Sequence, residues 1–274
     1  MPSDKDKKLA AIAVPLTEKT YLTDEEKISI RHLEAYLGNY DRFLIQPQGM
    51  DFTLDGFKVM KFARDFFGSL EAHRSLLFSE NFYKSFENYR FILIYHTDAL
   101  VFSDKLSYWC SKNYDYIGPP WISHKEAPYA GNPNFEGKVG NGGFSLRKVD
   151  SFLKVINSKK YWKNPVDNSL KVYRENSGAA RVKRTIRSLS MFIPHLNGVK
   201  QEMKSSRMKE DLFWTDRAAH YYPSFRIAPL DEALRFGFEC VPRHCYKVND
   251  FKLPFGCHAW EKYDRAFWED HLLV

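Results

Sequence analysis

The feature that most constrains the fold is residues 91–102, FILIYHTDALVF. Its first five residues are apolar or aromatic without alternation, which is typical of a strand covered on both faces in a parallel sheet. The run is interrupted by His96, Thr97 and Asp98. Open α/β sheets bind ligands at the carboxyl ends of their strands, where an unpaired carboxylate is hard to explain by packing. On this stretch alone, however, an Asp98 that caps the next turn is the favoured interpretation.

Length and composition predict one α/β domain over residues 1–274. The 274 residues can bury a sizeable core, and 44% hydrophobic with 27% charged residues is ordinary for a globular protein. No apolar run approaches the roughly 20 residues that a membrane-spanning helix needs. The first residues lack the features of a secretory signal, and the four cysteines show no zinc-binding spacing. We therefore expect a cytoplasmic protein.

The order of elements favours a parallel sheet. Residues 8–16 read as a strand, Thr23 and Glu26 form a capping box for a helix that ends at Gly38, and residues 42–46 read as a second strand. We predict helices at 59–67, 69–86, 103–110 and 149–156, a further helix that opens at residue 209, and a C-terminal helix. Further strands are predicted at 114–117, after the glycines of 140–143, and at 225–229. Residues 122–138 lack periodicity and are predicted to form a surface loop over the site.

The positive charge is concentrated in one segment. Of a net charge of +7, the stretch from Lys171 to Lys209 contributes ten basic residues against two acidic ones. We treat about 160–209 as a basic helical insert, which could meet nucleic acid, anionic lipid or an acidic substrate, or be a solvated face. Helically spaced apolar residues within 179–193 fit an amphipathic helix on the inner face of an anionic membrane, although an ordinary surface helix fits equally well.

Four short motifs carry the candidate chemistry, and each has a structural alternative when taken alone. They are residues 96–98 (HTD), residues 141–143 (NGG), the pair Glu210 and Asp211, and His258. The glycines also fit a bulge or hairpin, the acidic pair also fits a helix cap, and the histidine also fits a satisfied core residue.

Together these motifs resemble the metal-dependent glycosyltransferases of the GT-A fold. A closer resemblance, to a family of functionally unassigned bacterial and fungal domains of that type, is found in four sequence motifs: ILIYHTDALVF, VGNGGFSLR, EDLFW and PFGCHAW. The resemblance implies a three-layer α/β/α sandwich with a mostly parallel central sheet. It also implies a nucleotide-sugar donor, with UDP favoured, and Mn²⁺ or Mg²⁺ as cofactor, because a cation stabilises a leaving diphosphate.

The resemblance assigns a role to each motif. Asp98 and His258 match metal ligands, with His96 standing where the family has its first acid. Asp211, with Glu210, matches the catalytic base of inverting members. The residues expected at the donor are Pro15, Leu16, Thr17, Arg74, His96, Thr97, Asn141, Gly142 and Gly143. The acceptor side is expected to include Trp121, Trp214 and the loop 122–138.

The predicted function is transfer of a sugar, with inversion, to a glycan or glycolipid in cell-surface polysaccharide or lipopolysaccharide synthesis. A nucleotidyltransferase is a rival, but its usual glycine-rich basic loop is not found at Pro15, Leu16 and Thr17. A nucleic-acid-binding protein that uses the basic insert is a rival of another class, although no nucleic-acid signature is found and no nucleic-acid partner is expected. A catalytically inactive scaffold is the third alternative.

Overall fold

A computed structural model of the chain describes residues 6–16, 18, 20–206 and 208–273. The strands in these ranges are β1 (Lys8–Pro15), β2 (Asp41–Pro47), β3 (Phe57–Phe62), β4 (Tyr89–Tyr95), β5 (Leu100–Val101), β6 (Tyr116–Ile117), β7 (Phe144–Lys148), β8 (Gly237–Phe238) and β9 (Gly256–Cys257).

The central sheet is mostly parallel. Its strand order is β3-β2-β1-β4-β7-β6, in which β1, β2, β3 and β4 run parallel and β7 runs antiparallel to both of its neighbours. The chain moves outward from β1 to β3 and then returns to the other side of β1 as β4. This reversal makes the carboxyl ends of β1 and β4 a topological switch point, where α/β sheets open a crevice for ligands.

Helices cover the sheet and extend beyond it. They are α1 (Asp24–Leu37), α2 (Leu70–Leu77), α3 (Glu80–Lys84), α4 (Leu106–Ser111), α5 (Val149–Ile156), α6 (Pro165–Arg174), α7 (Gly178–Ser188), α8 (Val199–Ser205), α9 (Glu210–Tyr221), α10 (Leu230–Phe236), α11 (Pro242–Val248) and α12 (Arg265–Trp268). Short 3₁₀ turns occupy Arg64–Phe66, Leu189–Phe192 and Glu269–His271.

The two faces of the sheet have separate cores, as β1 shows. Ala11 and Ala13 pack in one cluster with Trp214 of α9. Ile12 of the same strand packs in a second cluster with Leu33 of α1. Because successive side chains of a strand point to opposite faces, this division places helices on both sides of the sheet. The predicted three-layer α/β class with a mostly parallel sheet is confirmed.

A second, small sheet has the order β5-β9-β8. Leu100 of β5 pairs antiparallel with Cys257 of β9, and Gly256 of β9 pairs parallel with Gly237 of β8. Trp260 and Trp268 pack in the buried cluster beside this sheet. The small sheet thus joins the segment that follows β4 to a segment far along the chain.

Several local predictions are confirmed. Thr23 caps α1, and its hydroxyl and the Glu26 carboxylate form the reciprocal hydrogen bonds of a capping box. Helix α5 occupies the predicted residues 149–156. The glycine cluster leads into a strand, as expected, and this strand is β7.

Three local predictions are wrong. Residues 59–67 are not a helix, because Phe57–Phe62 pairs with β2 as an exposed edge strand, and backbone pairing outweighs the weak side-chain pattern. The helix predicted over 69–86 is two helices, since α2 ends at Leu77 and α3 begins at Glu80. Residues 225–229 form no strand, and Ile227 makes an isolated bridge to Tyr116.

The basic insert is helical, as predicted, and consists of α6, α7 and α8. On α7, Val182 is 60% exposed and Ile186 is 62% exposed, so apolar side chains of this helix face solvent. Among the described residues, no helix combines the length and the apolar character needed to cross a bilayer.

Candidate metal and donor site

The first part of the site is built by the antiparallel pairing of β4 with β7. Tyr95 pairs with Phe144, and one step further the backbone N–H of His96 donates to the carbonyl of Gly143 over 2.8 Å. The end of the central strand therefore lies directly beside the glycine loop, although the two motifs are far apart in the sequence.

The second part is built by the small sheet. The pairing of Leu100 with Cys257 puts His258 opposite the residue that follows Asp98. The backbone N–H of Trp260 donates to the carbonyl of Asp98 over 3.2 Å and holds the two segments together. Two strand pairings thus bring three of the four predicted motifs to one place.

The side chains of His96, Asp98 and His258 form a candidate metal group. Each offers one ligand atom, and these atoms lie within 4.8 Å of one another. Asp98 Oδ1 is 3.4 Å from His258 Nε2, and both atoms are buried without a hydrogen-bond partner among the described residues. Two imidazole nitrogens and a carboxylate oxygen suit a divalent first-row metal. Orphaned buried donor and acceptor atoms are what such a cation would satisfy, so the residues fit a metal.

His258 is held from its other side by Glu239, a residue that the sequence analysis missed. The distance from His258 Nδ1 to Glu239 Oε1 is 2.9 Å. Burial lowers the pKa of His258, but the nearby carboxylates of Asp98 and Glu239 outweigh burial and raise this pKa to about 10. Burial raises the pKa of Asp98, but His258 outweighs burial and holds that pKa well below its usual range. The three groups act as one electrostatic unit.

His73, also missed, lies against His96. Their Nε2 atoms are 3.0 Å apart, and the rings meet nearly edge to face. Burial, followed by the charges of Arg147 and His258, lowers the pKa of His73 to about 4, so this imidazole is neutral at pH 7. His73 belongs to α2, and the sequence of this helix contains no motif that indicates a metal site.

The glycine loop comes very close to the two imidazoles of the metal group. A Cβ built on Gly143 would lie 2.0 Å from His258 Nε2 and 2.7 Å from His96 Nδ1. The buried Asn141 shapes the loop, since its Oδ1 accepts from the backbone N–H groups of Gly143 and Phe144 at 2.8 and 2.9 Å. Position 143 therefore requires glycine because of space, and the observed role of the Asn141 amide oxygen is to hold the loop.

A cavity of about 620 Å³ opens at the switch point beside this group. Its lining is Pro15, Leu16, Thr23, Glu26, Phe66, Phe67, Gly68, Ser69, Leu70, His73, His96, Thr97, Asp98 and Glu261. The Thr97 hydroxyl donates to Glu26 Oε1 over 2.8 Å, which ties the first turn of α1 to the end of β4. Of the residues predicted at the donor, Pro15, Leu16, His96 and Thr97 line the cavity, and Thr17 lies outside the described residues.

Glu210 and Asp211 occupy different environments at the start of α9. Glu210 Oε1 accepts from Arg147 Nη1 over 2.5 Å and also from the indole N–H of Trp214. Asp211 Oδ1 accepts from the backbone N–H of Leu212 over 2.8 Å. Burial, followed by the negative charge of Glu210, raises the pKa of Asp211 to about 7. Thus Glu210 anchors the helix, whereas Asp211 is poised to exchange a proton near neutral pH.

The start of α9 also contacts the glycine loop. A Cβ on Gly142 would be 3.6 Å from Glu210 Oε2. The Thr215 hydroxyl donates to the carbonyl of Val139 over 2.6 Å. The negative charge of Glu239 contributes to the raised pKa of Asp211. Glu210 therefore borders the glycine loop, and the charge of Glu239 acts on Asp211.

Three other predicted residues lie elsewhere. The Arg74 guanidinium donates to the carbonyls of Met203, Ser206 and Met208 and lines a separate cavity of about 550 Å³. Trp214 is fully buried, and Trp121 is 4% exposed. Apolar burial of these two indoles outweighs a surface role, so the acceptor-side placement of Trp121 and Trp214 is corrected.

The fold and this site define an α/β domain with a candidate cation centre at the switch point of its sheet. Residues 56–258 match the family described as "Protein of unknown function (DUF5672)", and the chain belongs to that family. This agrees with the sequence-based expectation of a family without an assigned function. No curated protein matches the chain.

Several solved structures are similar to this chain. The apo-form glycosyltransferase GlyE of Streptococcus pneumoniae TIGR4 is 11% identical over 98% of this chain and 61% of that chain, with a TM-score of 0.43. An active-site mutant of LgtC is 10% identical over 90% of this chain and 86% of that chain, with a TM-score of 0.46. Mouse xyloside xylosyltransferase 1 is 11% identical over 92% of this chain and 97% of that chain, with a TM-score of 0.42. This chain spans less than two thirds of the GlyE chain. All three TM-scores lie below 0.5, so the candidate chemistry rests on the site alone.

Proposed function

We propose that this protein is a metal-dependent glycosyltransferase that uses a nucleoside-diphosphate sugar, with UDP favoured, as donor. The observation that carries the proposal is the position of the metal group of His96, Asp98 and His258. Two of its three residues, His96 and Asp98, line a cavity at the switch point, where a diphosphate and the nucleoside attached to it can bind side by side.

The cavity suits a nucleotide in size and lining. Its volume of about 620 Å³ lies within the usual range for ligand pockets. It has an apolar part for a base, formed by Pro15, Leu16, Phe66 and Phe67, and a polar part that includes His96 and Asp98 of the metal group. Arg74 as a nucleotide contact stays a prediction, because in this structure its guanidinium is bonded to backbone carbonyls.

His96, Asp98 and His258 would hold Mn²⁺ or Mg²⁺, and the ion would supply positive charge that stabilises the leaving diphosphate. The orphaned Asp98 Oδ1 and His258 Nε2 support this role. The close approach of Gly143 to both imidazoles supports its role beside the donor, since it leaves no room for a side chain. Asn141 would act by fixing the loop, with Gly142 exposing backbone to the sugar.

Asp211 would be the base that takes the proton from the acceptor hydroxyl. The adjacent Glu210, whose Oε2 lies 3.6 Å from the Cβ position of Gly142, puts Asp211 near the glycine loop and supports this role. Glu210, bonded to Arg147 and Trp214, would hold the start of α9 in place. A base works best when its pKa is close to the pH at which it operates, and the pKa of Asp211 is raised to about 7. Attack from the side opposite the leaving diphosphate gives inversion at the anomeric carbon.

The proposed acceptor is a glycan or glycolipid of cell-surface polysaccharide or lipopolysaccharide synthesis. The basic insert supports a lipid-linked acceptor, because exposed Val182, Ile186 and Leu189 share α7 and its end with Lys183 and Arg184. Apolar side chains flanked by cations suit the surface of an anionic membrane. Peripheral contact of residues 179–193 with an anionic membrane is part of this proposal.

The test is thermal stabilisation by a panel of nucleoside diphosphates, with and without Mn²⁺, on the wild type and Asp98→Ala. Stabilisation by one nucleotide that requires the metal and is lost in Asp98→Ala is expected, because a ligand that binds the folded state raises its stability. Stabilisation without metal would keep the transferase but remove Asp98 and His258 from the metal role. No response to any nucleotide would overturn the proposal and favour nucleic-acid binding by the insert or an inactive scaffold.

A further inference from the structure

Each imidazole of the metal group has its two ring nitrogens in different environments. The Cβ position of Gly143 identifies the inner nitrogens, since it approaches His258 Nε2 to 2.0 Å and His96 Nδ1 to 2.7 Å. The outer nitrogens point away from Gly143 and are bonded. His258 Nδ1 is 2.9 Å from Glu239 Oε1, and His96 Nε2 is 3.0 Å from His73 Nε2.

These outer bonds restrict where each ring carries its proton. A carboxylate can only accept, so His258 Nδ1 carries the hydrogen that binds Glu239. In the contact between His96 and His73, one Nε2 must donate and the other accept. When His96 donates through Nε2, its Nδ1 is left as a lone pair on the side of Gly143. In this tautomer, both inner nitrogens can bind a cation once the cation displaces the proton from His258 Nε2.

The fold supplies these partners through rigid pairings. Phe238 and Cys257 are partners in the parallel ladder of β8 and β9, and the backbone N–H of His258 donates to the carbonyl of Phe238 over 2.9 Å. Glu239 and His258 are therefore the next residues on two adjacent parallel strands. His73 is placed by α2, in which its backbone N–H donates to the carbonyl of Ser69 over 3.0 Å.

We infer that His73 and Glu239 are positioning residues that hold His96 and His258 as metal ligands. The inference builds on the metal centre of the proposed function. Ligating histidines generally donate their second N–H to a carboxylate or another acceptor, which fixes the ring and makes it a better ligand. His96 stands where the resembled family has an acid, and His73 of α2 holds this histidine in place by the contact between their Nε2 atoms.

The experiment is a titration of the full chain with Mn²⁺ in the absence of nucleotide, followed by the electron paramagnetic resonance of free Mn²⁺. Glu239→Gln and His73→Leu are each expected to weaken Mn²⁺ binding about 10–100-fold. His73→Gln, whose amide can replace the ring as hydrogen-bond acceptor, is expected to recover part of the affinity. The visible spectrum of bound Co²⁺ is expected to change in Glu239→Gln, because the orientation of His258 changes.

Two matched controls separate positioning from general damage. Glu232→Gln alters a carboxylate with 13% side-chain exposure, close to the 17% of Glu239, that binds Lys112 away from the metal group. His32→Leu alters a fully buried histidine that bonds to the carbonyl of Val101. Both variants are expected to bind Mn²⁺ as the wild type does, with thermal unfolding as the check on folding.

The outcomes separate this inference from the proposed function. Folded Glu239→Gln and His73→Leu proteins that bind Mn²⁺ with unchanged affinity would overturn the inference, as would a wild type that binds no Mn²⁺. Either result leaves the response to nucleoside diphosphates as an independent measurement. Conversely, weakened Mn²⁺ binding in both variants supports the inference even when no nucleotide stabilises the protein.

Discussion

Arg147 and Glu210 form an ion pair that is almost closed to solvent, with side-chain exposures of 0% and 5%. The pair joins β7 to the first turn of α9 and is extended by the hydroxyl of Tyr83, which accepts from Arg147 Nη1 over 2.9 Å. The acidic motif is thereby fixed to the same strand that follows the glycine loop, so the position of Asp211 depends on a charge pair in the core.

Removing one partner of this pair is expected to destabilise the protein strongly. Arg147→Met leaves the Glu210 carboxylate buried without its cation, a change that typically costs about 3–5 kcal/mol. Replacing both partners by apolar residues, as in Arg147→Met with Glu210→Met, is expected to cost less than the sum of the single changes. Urea denaturation of the single and double variants measures the difference.

The control for this cycle is the exposed pair Arg243 and Asp264, with side-chain exposures of 63% and 33%. Arg243→Met is expected to change the free energy of unfolding by no more than about 1 kcal/mol. Strictly additive losses for the Arg147 and Glu210 variants would show that the two groups do not depend on each other.

Gly143→Ala is expected to abolish metal binding, whereas Gly142→Ala is expected to preserve it. The added Cβ at position 143 would lie 2.0 Å from His258 Nε2, but at position 142 its nearest neighbour is Glu210 Oε2 at the ordinary distance of 3.6 Å. Mn²⁺ titration of both folded variants is the measurement. Equal Mn²⁺ affinity in the two variants would contradict the close packing described here.

Asp211→Asn is expected to stabilise the protein in a pH-dependent way. The pKa of Asp211 is raised to about 7 in the fold, above its value in the unfolded chain of about 4. The folded state therefore holds this proton more tightly, and ionisation of Asp211 costs stability as the pH rises through that window. The gain in melting temperature of Asp211→Asn over the wild type should be absent near pH 4, grow from there to about pH 7 and then level off.

The same variant is expected to lose transferase activity, because an amide cannot take the acceptor proton. A gain in stability that is constant from pH 4 to pH 8 would show that Asp211 is not the group that titrates. Glu210→Gln serves as comparison, since its carboxylate is paired with Arg147 and its loss should destabilise.

Reversing the charges of Lys183, Arg184 and Arg187 is expected to abolish binding to liposomes that contain anionic lipid. The reason is the loss of attraction between these cations and the headgroups, worth about 1 kcal/mol for each. Cosedimentation with anionic and neutral liposomes measures binding. Ile186→Ser should weaken it as well, because Ile186 is 62% exposed and would enter the interface.

Val248→Ser is the matched control, since Val248 is 50% exposed on α11, outside the insert. Its liposome binding should equal that of the wild type. Unchanged binding of the charge-reversal variant would remove the membrane from the proposed function and leave α7 as an ordinary surface helix.

The sequence predicted the elements whose signals are local. The capping box of Thr23 and Glu26, the apolar run of β4 and helix α5 need no knowledge of distant residues. The edge strand β3 was missed because its residues are largely exposed and only its pairing with β2 defines it. Trp214 was misplaced for the opposite reason, as burial in the core depends on how α9 packs.

The same distinction applies to the site. His96, Asp98 and His258 were proposed from motifs, and the structure brings them together. Glu239 and His73 carry no motif, and they become neighbours of the metal group only through a two-residue strand and the placement of α2. A signal that could have indicated Glu239 is a carboxylate directly after the short buried run 236–238, comparable to Asp98 shortly after β4.

The small sheet gives a bound cation a mechanical consequence. His96 and Asp98 extend from the long central strand, whereas His258 and its support Glu239 extend from strands of two residues each. A cation held by all three ligands would link the short strands β8 and β9 to the end of β4 and stabilise their pairing. Removal of the cation by a chelator should then speed amide hydrogen exchange in Gly237–Phe238 and Gly256–Cys257, while β1 and β4 stay protected. The reason is that the short strands have the lowest local stability and lose the link that the cation provides.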